Sequence, residues 1–376
     1  MSPAPRPAPL VLVGAPPAAD DDPFGSYAAV LAGGRHLLAA ELSQRLARRG
    51  AASQLMPPAE GVPFHWGTWF ASAARAALEA AGERVDALGW AGAGALALLP
   101  DDALEELLTP IPGEAVTNNR FSADAFVVAG DLEGVVGALA GLGADNGAPR
   151  ALESAGFTVR DLATAPWSRF DVDTPLDLAL LRLATRLPGT RAVDPAVAMF
   201  LGGVQLPGGR ALDIPRIEEV LEVLRSRNAE LVVAGRVPSS VFAYLEGQAA
   251  CRVRLFVEER GMRAAPAHRP RSLLADWVSD HGAASLIEHL TTLGDAVIAD
   301  TRVLMAALAG SSDAAAWPSP DERYASDFGN ASPIATPWLR ELTTAAASAS
   351  VPLLLGGHTL VSDGLRILTD VAWLNS

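Results

Sequence analysis

Short apolar runs alternate with helix-patterned stretches along most of the chain. Leu10–Ala15 is apolar and is followed by Pro16 and Pro17, which reads as a first buried strand. The acidic run Asp20–Asp22 reads as a loop. From Ser26 to Arg49, Tyr27, Val30, Leu31, Leu37, Leu38, Leu42 and Leu46 fall near one helical face, and Gly50 supplies a stop. Trp66–Glu83 is a second helix, Val85–Trp90 a strand, and Ala91-Gly92-Ala93-Gly94 the turn after it. Asp101 and Asp102 are placed to cap a helix over Ala103–Leu108. Ala125–Ala129 and Phe157–Arg160 read as strands and Leu132–Leu142 as a helix. Asp173–Leu187 reads as a helix capped by Asp173 or Thr174, with Pro175 in its first turn. Strands that alternate with helices imply a mainly parallel sheet covered on both faces.

The segment Leu187–Asp213 is rich in Pro and Gly and then the rhythm restarts. Helices are expected over Ile214–Arg227, Ser239–Gln248, Leu273–Leu290 and Trp338–Ser348. Strands are expected over Leu231–Ala234, Cys251–Val257, Ala296–Ala299 and Val351–Leu355. The expected architecture is α/β: two Rossmann-like three-layer domains with mainly parallel sheets. Residues 1–190 form the first domain, 191–212 a linker and 213–376 the second.

Composition narrows the chemistry. The formal charge is −14, which disfavours nucleic acid and an anionic membrane as partners. No run of about 18 uncharged apolar residues predicts a membrane span, and the expected location is the cytoplasm. The chain has one cysteine, Cys251, so an intramolecular disulfide and a cysteine-cluster metal site are excluded. All 29 basic residues are arginine. Schiff-base chemistry and a Walker-type phosphate lysine are therefore absent. Anionic ligands must be held by Arg, His, a metal or helix N-termini.

The most distinctive string is Asp171-Val172-Asp173-Thr174-Pro175-Leu176-Asp177-Leu178. Read from the residues alone, either one carboxylate faces a site and the other caps the helix, or the string is only a strand-to-helix turn with Asp173 as its N-cap. The string also resembles the D-x-D-T-P-x-D-L segment of the GT-A-like nucleotidyltransferases, which include the molybdopterin guanylyltransferase and phospholactate guanylyltransferase groups. Leu31-Ala32-Gly33-Gly34-Arg35 is similar to their glycine-rich signature, and the likeness extends over residues ~9–187. It implies a nucleotide substrate and Mg²⁺, with Asp171 or Asp173 as metal ligand and catalytic carboxylate. It further implies that Asn118, Asn119, Arg120 and Asp124 read the substrate. The chain departs from the family at three points. Leu31–Arg35 falls inside a predicted helix, there is no lysine, and Gly89–Gly94 offers no carboxylate.

Asn118–Asp124 mixes amide, guanidinium, hydroxyl and carboxylate groups, suited to sugar or base recognition or to a loop held by Asx turns. Ala91–Gly94 reads either as a weak dinucleotide signal or as close backbone packing. In the second half, Gly235–Ser240 opens a helix after a strand, offering Arg236 and Ser239 to an anion; Ser239 could equally be the helix cap. Six arginines lie within twenty residues, from Arg252 to Arg271, and Arg260 is among them. They suit a phosphate or carboxylate, or salt bridges with Glu258, Glu259 and neighbouring acids, within the chain or at a homodimer interface. Arg302 and His358 also follow strands, and in a parallel sheet those strand ends share one edge. His358 is the best acid–base candidate. His281 and His289, eight apart, are too distant on one helix to chelate a metal unaided. The leading expectation is a protein acting on a nucleotide or phosphorylated metabolite. The alternatives are a noncatalytic binding or assembly protein on this scaffold, or an enzyme whose chemistry lies at the Arg/His edge of the second half.

Overall fold

The alternating strands and helices are present in a computed structural model, which describes residues 8–16, 25–57, 65–162, 165–260 and 269–374. Asp20–Asp22 and Arg263 lie outside the described residues. The chain divides into two compact units. The first holds Ala32–Val172 and Arg191–Phe200 together with the opening strand; the second holds Asp173–Thr190, the chain from Leu201 onward, and the start of the first helix. The units interleave in sequence where the chain pattern suggests a single 191–212 linker.

The first unit contains β1 (Ala8–Gly14), α1 (Tyr27–Arg48) from Ala32 onward, β2 (Ala52–Met56), α2 (Trp66–Ala81), β3 (Val85–Ala91), α3 (Asp101–Leu107), β4 (Glu114–Thr117), β5 (Ala125–Ala129), α4 (Leu132–Leu139), α5 (Ala148–Ser154) and β6 (Thr158–Asp161). Its sheet runs β2-β1-β3-β5-β4-β6, and only β5 runs against its neighbours. Alternate residues of β1 enter opposite cores, as a two-sided strand requires. Val11 and Val13 pack with Ala39, Leu42 and Leu46 of α1 and with Leu104 and Leu107 of α3. Leu10 and Leu12 pack with Phe70 and Ala74 of α2, Val136 of α4 and Leu152 of α5. The sheet is thus the middle of three layers. From β1 the chain steps first to β2 on one side and then to β3 on the other, which makes the β1/β3 boundary a topological switch point.

Next come α6 (Pro175–Ala184), α7 (Pro195–Gly203), and a short hairpin of β7 (Gln205–Leu206) and β8 (Arg210–Ala211). The sheet of the second unit and its helices follow: α8 (Ile217–Arg225), β9 (Glu230–Gly235), α9 (Ser239–Gln248), β10 (Arg252–Val257), α10 (Leu273–His281), α11 (Ala283–Thr291), β11 (Ala296–Asp300), α12 (Thr301–Ala309), α13 (Pro320–Asp327), α14 (Pro337–Ala347), β12 (Leu353–Gly356) and α15 (Leu365–Ala372). The sheet is parallel throughout, in the order β10-β9-β11-β12, so its switch point lies between β9 and β11. Every residue of β11 is buried, consistent with cover on both faces.

Three local expectations change. Leu273–Leu290 is two helices, because Gly282 sits at φ 88° and stops the first. The break brings His281 and His289 against one indole: their ring centroids lie 4.8 and 4.6 Å from that of Trp277. Pro238, not Ser239, holds the cap position of α9, and no side chain caps that helix. Asp101 and Asp102 lie inside α3 instead of ahead of it, and Asp101 pairs with Arg45 and Arg49 at 3.0 and 2.9 Å.

Candidate functional site

The carboxyl ends of β1, β2 and β3 terminate together, with Gly14 level with Met56 and Val13 level with Ala91. A cleft of about 240 Å³ opens at this place, lined by Gly14, Ala15, Pro16, Arg35, Met56, Trp69, Trp90 and Ala93. Ligands in open α/β sheets bind at this kind of position. Trp90 and Trp69 meet edge to face, 5.3 Å between centroids and 88° between planes. The Trp90 indole N–H donates to Asp145 at 3.0 Å, which fixes the ring. Gly14 leaves room for it, since a Cβ there would lie 3.0 Å from Trp90 Cη2. Arg35 is the cleft's one charged lining residue, and its Nε donates to the Val172 carbonyl at 2.7 Å. Leu31–Arg35 is helical, inside α1, as its pattern predicts.

The turn after β3 shows why Gly94 is needed. A Cβ there would lie 2.4 Å from the Val172 carbonyl oxygen and 2.7 Å from Asp171 Oδ1. Close backbone packing therefore accounts for this glycine, and the same contact places the Asp171 carboxylate beside the turn. A buried guanidinium that the sequence pattern does not flag, Arg45, holds the rest of the turn. It donates to the carbonyls of Leu96 and Leu99 at 2.9 and 2.5 Å. Burial, with Arg191 nearby, lowers its pKa to about 10. The second cavity, about 190 Å³, lies against this cluster, but its Glu41, Arg45, Asp101 and Arg191 side chains pair with one another.

The loop Asn118–Asp124 lies at the same edge, between β4 and β5. Asn118 is buried and uses its whole amide inside the unit. Its Nδ2 donates to Asp124 Oδ2 and the Ser168 carbonyl, and its Oδ1 accepts from the Asp124 and Ala125 amides. The Asp124 carbonyl accepts from Gly92 at 2.9 Å, tying the loop to the turn after β3. Asn119 Oδ1 accepts from the Phe121 amide. Arg120 pairs with Glu153, and its amide donates to Asp161. The four predicted substrate readers are thus brought to one rim, but Asn118 acts there as a clasp with no hydrogen-bonding capacity left over.

The string Asp171–Leu178 has a local explanation. Thr174 caps α6 by accepting from the Asp177 amide, Pro175 opens the helix, and Asp177 Oδ2 accepts from the amides of Thr174 and Asp173. Thr174, not Asp173, is the cap. Burial, with Asp173 close by, raises the Asp177 carboxyl to about 7. Asp171 belongs to the first unit and Asp173 to the second. Among the described residues, no three His, Cys, Asp or Glu side chains form a group able to hold a metal ion. A Mg²⁺ of the kind the resemblance implies would thus meet one first-unit carboxylate of the expected pair, Asp171, and no preformed group of three ligands among the described residues.

In the second unit the carboxyl ends of all four strands align: Gly235 pairs in register with Val257, Ala234 with Ala299, and Asp300 with Gly356. The polar residues after these strands consequently share one edge. Arg236 grips buried Asp300 through Nε and Nη2 at 2.5 and 3.0 Å. Burial opposes charge on Asp300, but Arg236 outweighs it and holds the carboxyl below its ordinary range. Arg302 is buried and bidentate on Asp327, at 2.5 and 2.6 Å, so it is committed to the protein. Gly357 packs against Arg302 and Thr174, with its Cβ direction 3.7 and 3.9 Å from their atoms. Ser239 is exposed at the first turn of α9.

Both units carry a mainly parallel, Rossmann-like sheet, and the class of the protein is α/β. Neither a protein-family model nor a curated protein matches the chain.

Proposed function

We propose that the first unit binds a nucleotide, with the base in the cleft at the β1/β3 switch point. The observation that carries this reading is the lining of that cleft, with two tryptophans, a glycine floor and one arginine at strand carboxyl ends. Aromatic walls suit a base, because base–aromatic contact contributes roughly 1–3 kcal/mol per base. Arg35 supplies a charge-assisted donor for a phosphate or a base carbonyl. The cleft is smaller than the usual range for a whole drug-sized ligand. The ribose and phosphates would therefore lie along the rim near Gly92–Gly94 and Asp171. The resemblance of the first half to nucleotidyltransferases points the same way.

Binding without transfer is the form of this reading that the residues favour. Nucleotidyl transfer needs a developing anion to be neutralised. The chain has no lysine, and Asp171 alone does not make a metal site. Titration calorimetry with GTP, CTP and UDP-glucose, each with and without Mg²⁺, tests the proposal. At least one nucleotide should release or absorb heat saturably, and Arg35→Ala should weaken it about tenfold, the loss of one charge-assisted bond. No heat with any of the three would remove the reading.

A further inference from the structure

The second unit carries a polar constellation that nucleotide binding in the first does not use. At the carboxyl edge of its sheet, Arg236 follows β9, Arg260 follows β10, Asp300 ends β11 and His358 follows β12. Parallel register brings these four strand ends level, and the β9/β11 switch point lies in their midst. Two ion pairs on buried carboxylates stand at this edge: Arg236 on Asp300 and Arg302 on Asp327. Within the first pair only Nε and Nη2 of Arg236 are engaged; Nη1 bonds no described residue, and the side chain is 17% exposed. The guanidinium is thus held in place by two of its nitrogens while the side chain stays partly exposed, an arrangement suited to a planar oxyanion at little entropic cost. The α9 helix also starts at this edge with no side-chain cap on its first amides.

His358 completes the set. Its imidazole makes no hydrogen bond with a described residue and is open to solvent, although protein crowds it. That crowding, with Arg236 next, lowers its pKa to about 4 against the opposing pull of Asp300; Arg260 and Asp173 also act on it. At neutral pH the ring is an uncharged hydrogen-bonding group beside fixed positive charge.

We propose that this edge is a second small-molecule site, which takes a metabolite bearing a carboxylate or phosphate group. Arg236 holds the oxyanion, Arg260 adds to the positive field, and neutral His358 hydrogen-bonds a neighbouring ligand hydroxyl. The site differs from the cleft in both location and chemistry, since it offers guanidinium and imidazole where the cleft offers indoles.

The test uses the full chain and probes without a base: inorganic phosphate and malonate, at constant ionic strength made up with chloride. Two readouts are followed, the melting temperature and the ¹H–¹³C resonances of the six histidines. Binding to the native state should raise Tm with probe concentration and shift the His358 resonance saturably, leaving His281 and His289 unmoved. Arg260→Ala and Arg236→Lys should each raise the apparent Kd about tenfold. The lysine variant keeps a cation against buried Asp300. His358→Asn leaves both ion pairs intact and serves if Arg236→Lys folds poorly; it should remove the shifted resonance and weaken a hydroxylated probe such as malate more than malonate. Phosphate without malonate would define a phosphate ligand, and malonate without phosphate a carboxylate one; either supports the site. The proposal is overturned if neither anion shifts His358 beyond the chloride control, or if the Arg260→Ala and His358→Asn variants bind both probes as the parent does.

Discussion

Asn118 shows how far a single side chain can be read in advance. Its polarity in a loop is visible in the sequence, and so is its choice between recognition and Asx-type packing. Which one prevails depends on Ser168, fifty residues on, whose carbonyl takes the amide's second hydrogen. Asn118→Ala should cost roughly 2–3 kcal/mol in urea unfolding, because the buried Ala125 amide loses its side-chain acceptor. Gly94 is a similar case. Ala there must displace the Val172 carbonyl, and the expected cost is about 1–3 kcal/mol, with the cleft disturbed as well. Asp177 gives a pH signature. Its folded pKa, about 7, lies above its ordinary value, so its contribution is whole below about pH 4 and is lost as pH rises through 7. Asp177→Asn should therefore flatten the decline in stability across that window, a difference on the order of 4 kcal/mol between its ends. Parallel pH-dependent declines in the parent and the variant would contradict this.

Among the elements, those with strong local signals are found close to where the pattern puts them. Ser239–Gln248 and Ala125–Ala129 match residue for residue. The start of α6 was legible because Thr, Pro and Asp each do a position-specific job there. Other elements were hidden for physical reasons. Strand β2 is an edge strand with three exposed residues of five, so it carries no apolar run. Helix α13 is mostly polar and is anchored by its cap: Ser319 accepts from the Glu322 amide, while Glu322 accepts from Ser319 and from the Ala335 and Thr336 amides. Burial opposes charge on Glu322, but these bonds outweigh it and lower its pKa to about 2. Its stabilisation is complete above the ordinary carboxylate range and lost as pH falls through 2. Glu322→Ala should cost about 1–2 kcal/mol at pH 7, and the difference from the parent should shrink on approach to pH 2.

On the scale of the molecule, the α/β class follows from the alternation of strands and helices, and two sheets follow from its restart after residue 213. The division between the units does not. It falls between Val172 and Asp173, inside a string with no glycine and only one proline, which sits within the helix start. Chain that looks continuous is thus shared between two cores. The gathering of polar loops at strand ends was legible as a rule of parallel sheets. The indole-lined cleft was not, because Trp69 and Trp90 come from a helix and a strand whose patterns mark them only as core.

No helix among the described residues is long and apolar enough to cross a membrane. The central claim, a base seated between β1 and β3, is tested most directly by the indole N–H signals of the eight tryptophans during titration with the nucleotide that gives calorimetric heat. Trp69 and Trp90, assigned by Trp69→Phe and Trp90→Phe, should move saturably, while Trp277 and Trp317 stay still. A bound nucleotide that leaves both signals in place, or moves only tryptophans of the second unit, would contradict it.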